Sequence, residues 1–78
     1  MPVILRVGRY QFLFFSNEGR EPAHIHVKAA GDEAKFWLVP VQLCADYGFN
    51  RREVTEIERL VREHRDLFLE AWNDHLSG

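Results

Sequence analysis

The chain has 78 residues, a formal net charge of -2 and a single cysteine, Cys44. One domain of this size can hold a core, although it buries only about 60% of its unfolded surface. A lone cysteine excludes an intrachain disulfide framework, the near-balanced charge gives no global attraction to nucleic acid or membrane, and no apolar run approaches the ~18 residues of a membrane span. The expected setting is the cytoplasm, and the expected unit is a single domain over residues 1–78.

Val3 to Val7 and Tyr10 to Ser16 read as two strands around Gly8-Arg9, a two-residue connection with glycine first that suits a type II′ hairpin. This register sets Val7 against Tyr10, Leu5 against Phe12 and Val3 against Phe14 on one apolar face. Ile4, Arg6, Gln11, Leu13 and Phe15 form the second face, which is apolar enough to expect cover from another element or another subunit. Asn17 to Pro22 reads as a loop. Strand three follows from Ala23 to Ala30, Gly31-Asp32 turns the chain, and Glu33 to Val39 returns as strand four. A two-residue turn there puts His26 opposite Trp37, Ile25 opposite Leu38 and Lys28 opposite Lys35. That last pair of like charges asks for an anionic ligand, full solvation or a different register.

Pro40 is expected to close the sheet, and Val41 to Tyr47 reads as a short mixed segment with one or two helical turns. Asn50 followed by Glu53 matches a helix cap with a reaching acid, and Val54, Ile57, Val61, Phe68 and Trp72 then recur at helical spacing. The fold class is α+β: a mostly antiparallel four-stranded sheet made of two β-hairpins and covered on one face by a long C-terminal helix.

Chemistry concentrates on strand three. Alternation puts His24, His26 and Lys28 on one face and Ile25, Val27 and Ala29 on the other, with Lys35 and Trp37 of strand four joining the histidines. Three readings follow. Two histidines about 6.8 Å apart along a strand can converge on a divalent metal such as zinc, with Glu21 as a third ligand and Asp32, Glu33, Cys44 or His64 as others. Without any cofactor, His24 and His26 could act as general base and acid on RNA with Glu21 orienting an imidazole, while Arg20, Lys28, Lys35 and Trp37 hold phosphate and base. The same surface could instead dock a protein, Trp and Arg being common anchors, or serve a purely structural homo-oligomer. His64 reads as a hydrogen-bonded boundary histidine and Cys44 as a small buried residue.

Met1-Pro2-Val3-Ile4, the run Ser16-Asn17-Glu18-Gly19-Arg20-Glu21-Pro22 with His24, His26 and Val27, then Glu33 to Leu38, Pro40-Val41, Gly48-Phe49 and the closing amphipathic segment resemble a bacterial family, domain of unknown function 4160 (DUF4160). Ala23 stands where that family commonly has proline. Its members are often encoded beside a small protein of family 2442 (DUF2442), in arrangements similar to toxin–antitoxin pairs. The resemblance therefore implies a small partner protein and a toxin-like effector role, with no catalytic assignment to carry over.

Overall fold

The computed structural model describes residues 3–15 and 20–77. Five strands, β1 (Val3–Val7), β2 (Tyr10–Leu13), β3 (His24–Ala29), β4 (Asp32–Leu38) and β5 (Val41–Tyr47), precede two helices, α1 (Arg51–Glu63) and α2 (Arg65–Ser77). The strands pair antiparallel in chain order, so the sheet is a simple meander. The α+β class is as expected. The sheet has one strand more than expected, and the single long helix is two.

In the first hairpin Val7 faces Tyr10 and Leu5 faces Phe12. Gly8 has φ 57 while Arg9 keeps the usual negative sign, as a type II′ turn requires of its first central residue alone. Val3 pairs with Leu13 rather than Phe14, because Ile4 is an extra residue in β1. Strand β2 stops at Leu13, and the continuation expected as far as Ser16 leaves the sheet at Phe14. Met1 and Pro2 and the loop positions Ser16 to Gly19 lie outside the described residues.

The second hairpin turns one residue earlier than expected. Ala29 faces Asp32 across Ala30 and Gly31, whose φ values of 51 and 87 are both positive, the pattern of a type I′ turn. Glycine adopts this conformation freely, whereas Ala30 does so against its Cβ. The pairing shifts by two residues. His24 now faces Trp37, His26 faces Lys35, Ile25 faces Phe36, and Lys28 faces Glu33. The expected pairs of His26 with Trp37, Ile25 with Leu38 and Lys28 with Lys35 are thereby corrected. An even shift keeps every side chain on its expected face and replaces a like-charge pair with an opposite one.

Pro40 does not close the sheet. It sits with Val39, across a cis peptide bond, in a two-residue turn that carries the chain into β5, where Val41 faces Leu38 and Leu43 faces Phe36. Cys44 is an extra residue in this strand, since its neighbours Leu43 and Ala45 pair with the consecutive Phe36 and Lys35. The bulge turns Cys44 outward, so it is exposed rather than buried. Both edge strands thus carry an irregularity that discourages pairing with another sheet.

The cap of α1 forms as the sequence predicts. Asn50 Oδ1 accepts the Glu53 N–H at 2.8 Å, and the Glu53 carboxylate accepts the Asn50 N–H at 2.9 Å. Glu53 also accepts from Arg9 at 2.9 Å, tying the first hairpin to the helix. The Asn50 N–H is the main reason that its carboxyl lies below the ordinary glutamate value. One turn further on, Tyr10 donates to Glu56 at 2.8 Å; burial first, and this acidic acceptor second, push the phenol upward.

The helix breaks at His64. Its ring Nδ1 donates to the Leu60 carbonyl at 2.9 Å, its backbone N–H bonds the same oxygen, and its own carbonyl accepts from Phe68 to start α2. It is the hydrogen-bonded boundary residue that its position in the apolar stripe predicts. Ile57, Leu60 and Val61 of α1 and Phe68 and Trp72 of α2 share one core with Phe12, Phe14, Ile25, Val27, Phe36 and Leu38. Each such side chain contributes about 1.5–3 kcal/mol by leaving water. The sheet therefore has a helix-covered face and a second face, and the latter carries the candidate residues.

Candidate functional site

Register and alternation place three rows across the second face. Gln11, Lys28, Glu33 and Tyr47 form one; Leu13, His26, Lys35 and Ala45 form the next; His24, Trp37 and Gln42 form the third. The first row is open to solvent. In the other two Leu13 and both histidines are buried, Lys35, Trp37 and Ala45 are partly so, and Gln42 is exposed on the edge strand; this overturns the expectation of outward imidazoles.

His24 is fully buried and His26 is only 5% exposed. Phe15, just past the end of β2, lies flat on His26 with ring centroids 3.8 Å apart and planes 17° from parallel. His24 packs edge-on to His26 at 5.2 Å and to Trp37 at 5.8 Å. Where β2 ends and β3 begins, Trp72 of α2 reaches the His24 ring at 4.8 Å and touches Phe14 at 5.3 Å. The His24 Nδ1–H donates to the Pro22 carbonyl at 2.9 Å, which assigns the proton to that nitrogen. Two rings expected to meet a substrate are walled in by aromatic carbon.

The charged residues around them are paired. Lys35 donates to the Glu21 carboxylate and lies 4.8 Å from the centre of the Trp37 ring. Glu21, expected to orient an imidazole, accepts from this ammonium. Lys28 lies 5.2 Å from the Phe15 ring centre and 4.0 Å from Glu33, whose second oxygen is 3.6 Å from His26 Nδ1. Arg20 is exposed in the turn that leads into β3.

His24, His26, Lys28, Lys35, Trp37 and Glu21 are thus brought together as predicted, but as a packed layer with charges at its rim. For the zinc reading, no three His, Cys, Asp or Glu side chains among the described residues are placed to share an ion. Phe15 and Trp72 were not singled out as site residues, and they decide its character. Phe15 carried a signal, an apolar residue on the same strand face as Leu13, whereas Trp72 reads in the sequence only as part of a helix stripe.

No described helix is long and apolar enough to cross a membrane. The molecule is a small α+β meander domain in which a His-x-His strand is sealed beneath aromatic rings and edged by opposed charges. A family model described as Domain of unknown function (DUF4160) matches residues 10–73, most of the chain, and the chain belongs to that family. No curated protein and no solved structure matches it.

Proposed function

We propose that this domain is the binding half of a two-protein module, an effector whose second sheet face docks a small partner of the family 2442 kind. One observation carries the reading. The imidazoles that would do chemistry are packed as scaffold, and the side chains they support at the surface are of the binding type. Trp37 is partly exposed above His24 and beneath Lys35, and Tyr47 on the adjoining strand is 67% exposed. Tryptophan and tyrosine in such settings dominate binding energies at protein interfaces. RNA contact is less favoured, since Lys28 and Lys35 already face Glu33 and Glu21.

The test is co-expression with a tagged family 2442 protein, followed by titration of the purified pair. Trp37→Ala weakens the complex by about 2 kcal/mol, roughly 30-fold in dissociation constant, measured at a temperature where the free variant, which also loses the Trp37 packing on His24, is still fully folded. Equal affinity of the variant and the wild type removes the second face from the interface. The effector role has a separate readout: cells making this chain alone grow more slowly than cells making both proteins, and unchanged growth counts against a toxin-like effect.

A further inference from the structure

The open row of the second face extends beyond the residues that surround the histidines. Pairing carries it across all five strands, from Arg6 of β1 through Gln11, Lys28 and Glu33 to Tyr47 of β5. Neighbouring strands lie about 4.8 Å apart, so Arg6 and Lys28 stand roughly 10 Å from each other at their backbones, and Tyr47 lies as far again beyond Lys28. Arg6, Gln11, Lys28 and Tyr47 are all exposed.

Charge is uneven along this row. On the five strands the second face carries the cations Arg6, Lys28 and Lys35 against one carboxylate, Glu33. Lys35 is taken by Glu21 from the loop. Glu33 is divided between Lys28 at 4.0 Å, beyond a hydrogen bond, and His26 Nδ1 at 3.6 Å. No carboxylate among the described residues pairs with Arg6. Its guanidinium offers five N–H donors, and the Gln11 amide beside it offers two more. The β1 to β3 part of the row is therefore a positive, donor-rich strip, and its β5 end is an exposed aromatic ring.

We infer that the partner of this face is a protein surface that is acidic where it meets β1 to β3, with carboxylates on Arg6 and Lys28 and an apolar side chain on Tyr47. The inference rests on the docking reading above and adds the charge of what docks. Arg6 takes a carboxylate through two parallel N–H bonds, a geometry that fixes the partner's orientation as well as its sign. A nucleic-acid strand fits less well, because its unbroken line of phosphates would meet Glu33 between the cations and the ring. A protein can keep its carboxylates to one side of Glu33.

Two synthetic peptides are the probes: a glutamate-rich one carrying a single tryptophan, and its counterpart with every glutamate changed to lysine. Amide chemical shifts of the full chain report where each binds. The glutamate peptide moves the amides of residues 6, 11, 28 and 47 and binds about tenfold tighter than the lysine peptide. Arg6→Glu weakens it about fivefold, the scale of an exposed ion pair, while the thermal melt stays as in the wild type because the position is exposed. The same substitution weakens the complex with the family 2442 protein to a similar degree. A complex that loosens on Trp37→Ala and ignores Arg6→Glu overturns this inference and leaves the docking reading standing. Failure of that protein to bind overturns the docking reading, and the peptides still decide the charge: equal binding of the two, or unmoved amides, overturns the inference.

Discussion

His26→Ala separates a scaffold histidine from a reactive one. The ring is 5% exposed, stacked flat on Phe15 and packed against the edge of His24, so its removal opens a hole bounded by rings on at least two sides. Truncations of buried side chains of this size cost about 2–4 kcal/mol, because the neighbours collapse only partly into the space. For a chain of 78 residues each kcal/mol moves the melting temperature by about 4–8 °C, so a fall on the order of 15 °C is expected. The assay is thermal unfolding followed by circular dichroism, with Lys28→Ala as a control, since substitutions at exposed positions stay within about 0.5 kcal/mol. A His26→Ala protein that melts within a degree or two of the wild type would refute the argument. The ring would then be dispensable to the fold, and a direct chemical role would regain its place.

Three further outcomes follow from local geometry. Ala30→Asn relieves a left-handed residue in the second hairpin turn and stabilises the domain by about 1 kcal/mol, read from urea unfolding midpoints at unchanged slope; a loss of stability would mean that the turn is not as described. Gly48→Ala lowers stability by about 2–3 kcal/mol, because φ there is +120 and an added Cβ also meets the Asp32 carboxylate. Adding Asp32→Ala removes the carboxylate from the clash but leaves its Cβ at 3.2 Å and the backbone strain, so the double variant should recover only part of the loss in a thermal melt. Glu53 has a folded pKa below its unfolded one, so its stabilising contribution is complete above the ordinary glutamate range and is lost as pH falls through the lower folded value. Unfolding measured from pH ~6 down to ~3 should fall less steeply for Glu53→Gln than for the wild type, and parallel curves would count against the cap as the cause.

Much of this architecture follows from relations between near neighbours in the chain. Strand alternation alone put His24, His26 and Lys28 on one side and Ile25 and Val27 on the other, and that held although the pairing moved by two residues, because an even shift cannot change faces. Gly8-Arg9 as a turn and Asn50 with Glu53 as a cap were equally legible, each being complete within about four residues.

What distant segments supply was not legible. Val41 to Tyr47 has too little apolar patterning to declare itself, and it becomes a strand because β4 offers it an edge across Val39 and Pro40. The apolar stripe of the helices runs on through His64, so the break there has no period to betray it; it appears where the ring and the backbone N–H both turn back to Leu60. Exposure of the histidines was decided in the same way. Their side of the sheet is a property of β3 itself, but their cover comes from Phe15 after β2 and Trp72 near the end of the chain. Alternation is written in adjacent residues, whereas burial depends on what remote parts of the chain bring to the surface, and that only the tertiary structure decides.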